Sequence, residues 1–144
     1  SVAILAPGVN AFRRLRKNLT EPVFNSWGYN TRSAALRIPC SDDGNRRIEY
    51  RLAGADANPY LVAATILTGM LYGLEHIDEG DLPEPQHDQP ELPLFQQEAI
   101  EAFARCQYLT DSLGDAFSEQ WVACKLSELD WFERIVTQEE SHLA

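Results

Sequence analysis

Residues 59–76 constrain the fold more than any other stretch. Asn58 can accept hydrogen bonds from the first free N–H groups of a helix, and Pro59 fits the first helical position, where its missing N–H costs nothing. From there to about His76, Leu61, Val62, Ala63, Ala64, Ile66, Leu67, Met70, Leu71 and Leu74 cover most faces of a helical wheel. A helix that is apolar all round is either buried or spans a membrane. This one falls short of the roughly 20 apolar residues that a bilayer requires. Thr65, Thr68, Gly69 and Gly73 also favour close packing within a protein. The expectation is a buried core helix and no membrane association.

The rest of the chain is arranged around that helix. Residues 1–58 read as strands and loops punctuated by Gly and Asn, with SVAILAPGVN apolar and then loop-like. Ala34–Ile38 and Arg46–Leu52 flank a turn rich in Asp, Gly and Asn, which predicts a β-hairpin with a longer loop. Residues 78–93 read as an acidic, Pro-rich connector. Residues 94–107 look helical, with Phe95, Ala99, Ile100 and Phe103 on one side, and a short turn or helix follows at 110–116. A longer helix is expected from about 117 to 139, with Phe117, Trp121, Cys124, Leu129, Phe132 and Ile135/Val136 as its core stripe. The predicted class is α+β, a few antiparallel strands backed by about three helices. The 144 residues suffice for one domain, with residues 1–58 as the strand/loop part and 59–144 as the helical part. A separate partner-binding module over 94–144 is an alternative resting only on apolar stripes.

Charge is divided between these parts. The whole chain carries −10, which argues against a general nucleic-acid binder. Residues 1–55 nevertheless hold nine of the twelve Lys and Arg residues and only four acids, a net +5, while the remainder carries −15. Eight of those nine cations are Arg, the residue suited to bidentate recognition of carboxylate or phosphate. Cys40, Cys106 and Cys124 are an odd, scattered set, consistent with reduced thiols in a cytoplasmic protein, and Cys106 and Cys124 read as small buried hydrophobes. His76, His87 and His142 share no ligand spacing, so a self-contained zinc site is not expected. The chain opens without a basic region ahead of its apolar start, and reads as a piece of a longer protein rather than one led by a signal peptide.

The densest cationic stretch is Arg46-Arg47-Ile48-Glu49-Tyr50-Arg51-Leu52. Residues two apart in a strand share a face, so Arg47, Glu49 and Arg51 should point one way and Ile48, Tyr50 and Leu52 toward a core. With Arg32 and Arg37 on the preceding segment, this makes a cationic face carrying a single carboxylate. Chemistry on a nucleoside triphosphate uses such a face: Arg forks for phosphate oxygens, a carboxylate for the divalent metal that bridges them. A solvated strand face with Arg–Glu pairs of little energetic weight is the plainer alternative. No Gly-rich phosphate loop and no convincing Ser/His/Asp or Cys/His arrangement is present.

At these residues the chain resembles the glutamine synthetase family. Thr31-Arg32-Ser33-Ala34-Ala35-Leu36-Arg37-Ile38-Pro39 is similar to the family's Asn-Arg-Ser-Ala-x-x-Arg-Ile-Pro segment. Arg46-Arg47-Ile48-Glu49-Tyr50-Arg51 resembles its Arg-Arg-Ile-Glu-x-Arg strand, and Asp56-Ala57-Asn58-Pro59-Tyr60-Leu61 its Ala-Asn-Pro-Tyr-Leu helix start. Asn10-Ala11-Phe12-Arg13-Arg14-Leu15 resembles its Asn-Ser-Tyr-x-Arg-Leu segment. Four motifs in the same order point to the C-terminal part of the catalytic domain. Such enzymes join the γ-carboxylate of glutamate to ammonia or another amine through γ-glutamyl phosphate made from ATP. The resemblance implies Arg32 as the catalytic residue on the transferring phosphate. It implies Arg14 and Arg51 on glutamate, Arg37 and Arg47 on ATP phosphates, and Glu49 as a ligand of Mg²⁺ or Mn²⁺. It also implies a homo-oligomer for the full-length protein, with sites between subunits, and no activity for this piece alone.

One departure concerns the amine. The family's ammonia enzymes carry a Glu between the Arg-Leu and Asn-Arg-Ser-Ala segments, where this chain has Thr20, and Glu21 would need a one-residue shift to replace it. Trp27-Gly28-Tyr29-Asn30-Thr31-Arg32 and Ala53-Gly54-Ala55-Asp56 are closer to the γ-glutamyl-polyamine ligase branch. An amine or polyamine acceptor is therefore expected over ammonia. The alternative is a non-catalytic structural or binding protein that keeps the fold.

Overall fold

The computed structural model describes residues 1–17, 21–76 and 91–136. Its core is built around the first apolar run. Val2–Leu5 form a short helix, α1, whose Ile4 and Leu5, like the following Ala6, have no exposed surface. A run of four apolar residues is too short to show a helical period, which is why this segment reads as irregular in sequence. Phe12 and Leu15 follow it into the core, the former from a 3₁₀ turn over Val9–Arg13.

Three strands lie beside this core: β1 (Phe24–Tyr29), β2 (Ala34–Ile38) and β3 (Glu49–Tyr50), in that order in one sheet. The expected hairpin is present: β2 pairs antiparallel with β3, Leu36 opposite Tyr50 and Arg37 opposite Glu49. The α+β class holds, but the sheet is mixed rather than wholly antiparallel, because β1 pairs parallel with β2. Parallel neighbours usually need a crossover of about a dozen residues. Here residues 30–33 suffice. Asn30 sits at φ 53 and turns the chain back, and its side chain accepts a hydrogen bond from the Cys40 N–H at 2.7 Å.

Beyond the sheet come α2 (Pro59–His76), α3 (Gln96–Ala104), α4 (Gln107–Leu113) and α5 (Asp115–Glu133). Asn58 caps α2 as expected, its Oδ1 accepting from the Tyr60 and Leu61 N–H groups. The burial expected for α2 fails. Leu61 and Val62 pack on the core and Thr65 is buried, yet Leu67, Met70, Leu71 and Leu74 are exposed, Leu74 at 82%. An apolar sequence gives a helix the means to be buried; burial itself needs neighbours on every side, and the described residues cover one edge.

Ala99, Ile100 and Phe103 of α3 are buried as expected, while Phe95 stands at the helix N-cap with 68% of its surface exposed. Ala99, Phe103 and Leu109 belong to the same cluster as α1, so α3 and α4 complete this core rather than forming a separate module. On α5, Trp121 packs against the core and stacks with Phe117. Lys125, not Cys124, occupies the buried turn, its Nζ 4.8 Å from the Trp121 ring centroid and 2.7 Å from Glu128 Oε2. Cys40, Cys106 and Cys124 are all free and exposed, which corrects the expectation for the last two: Cys106 lies in the joint between α3 and α4, and Cys124 on the outer face of α5. Ile135 and Val136 also lie outside the core. Among the described residues no helix is long and apolar enough to cross a membrane. Most of the 78–93 connector, His87 and His142, Thr20 and the expected helix end at 137–139 lie outside the described residues.

Candidate functional site

The residues singled out in sequence converge on four positions, Glu49 to Leu52. Arg37 on β2 faces Glu49 on β3 in register, and its Nη1 donates to Glu49 Oε2 at 2.8 Å. Arg47, two residues before Glu49, donates from Nη2 to Oε1 at 3.3 Å. One carboxylate is thus held between two guanidinium groups, one on each oxygen. The hydrogen bond from Arg37, reinforced by the charges of both arginines, holds the Glu49 carboxyl below the usual carboxylate range. Arg37 Nε is buried without a hydrogen-bond partner among the described residues, so this guanidinium keeps a donor in reserve.

Of the other three arginines, Arg51 lies in this segment, Arg32 meets it through its backbone, and Arg14 reaches its last residue. Arg51 Nε donates to the Arg32 carbonyl at 3.1 Å, and the Arg51 N–H bonds the Ala35 carbonyl at 2.9 Å, extending the β2–β3 pairing by one step. Arg32 itself is exposed in the join between β1 and β2. Arg14 follows the 3₁₀ turn, and its Nη2 donates to the Leu52 carbonyl at 2.9 Å. Its Nη1 lies 3.4 Å from Glu21 Oε2.

The expected alternation is correct from Glu49 onward. Tyr50 packs on the core and Leu52 is buried within it. Burial pushes the Tyr50 hydroxyl above its usual range. Ile48 is the exception, 68% exposed rather than in the core. The strand begins only at Glu49, so the two-residue period does not govern the residue before it. Ile48 instead lines a cavity of about 590 Å³ with Tyr29, Ile38, Cys40 and the arginines Arg46 and Arg47. Sequence reading left this cavity unseen, because it assigned Ile48 inward and saw no strand at Tyr29.

The same tertiary arrangement brings in residues that spacing alone did not mark. Gly8, before the 3₁₀ turn, and Gly54, after β3, both lie against the Asp56 carboxylate. A Cβ on Gly8 would stand 2.8 Å from Asp56 Oδ2, and one on Gly54 would overlap Oδ1. Pairs of glycines around a carboxylate are a signal visible in sequence only once the fold is known.

Among the described residues no group of three His, Cys, Asp or Glu side chains could hold a metal ion by itself. Glu49 supplies one oxygen donor of the hard type that Mg²⁺ and Mn²⁺ take. It therefore fits as a single member of a ligand set.

Comparison with known proteins follows the same line. The family model described as "Glutamine synthetase, catalytic domain" matches residues 1–143. The chain belongs to the glutamine synthetase family. It is 44% identical over 146 residues to gamma-glutamylputrescine synthetase PuuA of Escherichia coli (strain K12), covering 97% of this chain and 30% of that protein. It is 31% identical over 154 residues to glutamine synthetase of Pyrococcus woesei, covering 99% of this chain and 34% of that one. Among solved structures, apo GmaS without ligand superposes with a TM-score of 0.79 at 29% identity, over 98% of this chain and 34% of GmaS. The chain thus spans about a third of the length of these family members.

Proposed function

We propose that residues 1–144 are the C-terminal part of the catalytic domain of an ATP-dependent ligase. This ligase joins the γ-carboxylate of glutamate to an amine through γ-glutamyl phosphate. The observation that carries this reading is the Arg37–Glu49–Arg47 arrangement, an ionised carboxylate between one guanidinium group from β2 and one from the segment that leads into β3. In this reading Arg37 and Arg47 turn their donors toward ATP phosphates, and Glu49 is freed to ligate Mg²⁺ or Mn²⁺. A divalent ion held there would supply neutralisation of phosphate charge. Arg32, exposed at the β1–β2 join, stabilises the transferring phosphoryl group. Arg14 and Arg51 hold the carboxylates of glutamate.

The physical logic is charge compensation. A carboxylate is a poor electrophile until phosphorylated, and negative charge gathers on the phosphoryl group as it moves. Arg14, Arg37 and Arg47 against one four-residue segment, Arg51 within it and Arg32 beside it answer that demand. The 44% identity to a gamma-glutamylputrescine synthetase, with Thr20 where the family's ammonia enzymes carry a glutamate, supports a diamine as acceptor rather than ammonia. The reading further holds that the full-length enzyme is a cytoplasmic homo-oligomer and that the 144-residue piece alone is inactive.

Phosphate release by the full-length enzyme, supplied with ATP, Mg²⁺ or Mn²⁺ and glutamate, tests this directly. Putrescine should support the fastest release, ahead of ethanolamine and ammonium. Glu49→Gln should lower it by about 100-fold or more, the scale of losing one charged group at a phosphoryl-transfer site. Failure to bind ATP in a calorimetric titration would instead identify a structural protein that keeps the fold.

A further inference from the structure

Asp56 has no part in the roles assigned above, yet it lies beside Arg14. Its side chain is exposed and, among the described residues, makes no hydrogen bond or ion pair. Both its oxygens rest against bare glycine Cα atoms, Oδ2 over Gly8 and Oδ1 over Gly54. The place a Gly54 Cβ would take is also 3.4 Å from Arg14 Nη2. Asp56 and Arg14 thus border the gap left by the missing side chain of residue 54, and the Asp56 oxygen itself fills most of it. The Arg14 guanidinium is already engaged by the Leu52 carbonyl and Glu21. Asp56 is the carboxylate at this gap with no cation of its own.

A carboxylate without a counter-ion, next to a guanidinium, complements a ligand that brings an ammonium group beside a carboxylate. We propose that Asp56 is a specificity-determining residue that receives an alkylammonium group of the substrate beside Arg14. This rests on the ligase reading, in which Arg14 holds glutamate. Two substrate groups share the required chemistry: the distal ammonium of a diamine acceptor and the α-ammonium of glutamate. Asn58, two residues on, caps α2 through its own side chain, so Asp56 is not needed to start that helix.

Steady-state kinetics of the full-length enzyme separate these groups. Asp56→Asn keeps the shape and removes the charge. If Asp56 takes the distal ammonium, the ratio of KM for putrescine to KM for butylamine rises about tenfold or more, the scale of a lost charge-assisted hydrogen bond. If it takes the α-ammonium, KM for glutamate rises by a similar factor with either amine. In both cases KM moves more than kcat. Gly54→Ala gives a second route, because its Cβ would displace the Asp56 carboxylate while leaving the charge in the protein. It should reproduce the KM effect of Asp56→Asn. An active wild-type enzyme whose KM values are the same in both variants, or a fall in kcat alone, would overturn the Asp56 assignment and leave the ligase reading standing. A wild-type enzyme that releases no phosphate with any amine would remove the ligase reading and this assignment together.

Discussion

The two halves of the chain use apolar and acidic groups in opposite ways. In residues 1–58 the four-residue helix α1 is wholly inside, whereas in the second half the 18-residue helix α2 has only Thr65 fully buried, with Leu61 and Val62 partly covered. Glu49 in the first half is kept charged by the Arg37 guanidinium. Tyr108 in the second half is kept neutral by a carboxylate: its hydroxyl donates to Glu75 Oε2 at 2.6 Å, and that hydrogen bond is the main reason its pKa is pushed up to about 12. Similar contacts therefore do different work. The first half assembles a charged face over a packed core. The second half uses the α2–α4 contact, with Tyr72, His76 and Tyr108 in ring contact, to fasten helices to each other.

The largest expected effect tests the packed core. Leu5→Ala should cost about 2–5 kcal/mol of stability, because a fully buried side chain leaves a cavity that close-packed neighbours fill only in part. Urea unfolding of the chain reads this as a lower midpoint with an unchanged slope. A loss below about 1 kcal/mol would mean that α1 is not the centre of the core, and the contrast with α2 would collapse.

The next effect separates the halves by pH. The carboxyl of Glu49 is shifted below its ordinary value of 4.5, so its contact with Arg37 stabilises the fold above that pH. The contribution is lost as pH falls through the lower folded value. Tyr108 is shifted upward from 10.0 to about 12, so its contribution is whole below pH 10 and is lost as pH rises through the folded value. Unfolding midpoints of the wild type should therefore converge on those of Glu49→Gln only in acid, and on those of Tyr108→Phe only in alkali. Offsets that stay constant with pH would show that neither contact is coupled to proton binding.

Much of this was legible in sequence where local chemistry decides the outcome. Asn58 and Pro59 fixed the start of α2, and the Asp/Gly/Asn turn at 42–45 fixed the antiparallel pairing of β2 with β3. Arg37 met Glu49 by strand register, and Arg47 reached the same carboxylate from just ahead of the strand. What could not be read depends on distant partners. The β1 sequence Phe24-Asn25-Ser26-Trp27-Gly28-Tyr29 mixes strand and turn residues, and its parallel pairing rests on the turn at Asn30. Asp56 gains meaning only when Gly8 and Gly54, 46 residues apart, are brought against it. Periodicity likewise identified α2 as a helix but had no means of saying what covers it.

The smallest expected effect concerns that uncovered surface. Leu74 is 82% exposed near the end of α2, so Leu74→Ser removes a side chain that touches mostly water. In the 144-residue chain its cost should stay within about 0.5 kcal/mol, as for surface positions in general. The same substitution in the full-length protein sharpens the contrast between the helices. If unfolding there shows a cost approaching that of Leu5→Ala, α2 is covered by residues outside this chain, and its apolar sequence is explained by them. If the cost stays small in both, the apolar face of α2 is a true exterior. The difference between α1 and α2 then belongs to the fold itself rather than to residues outside this chain.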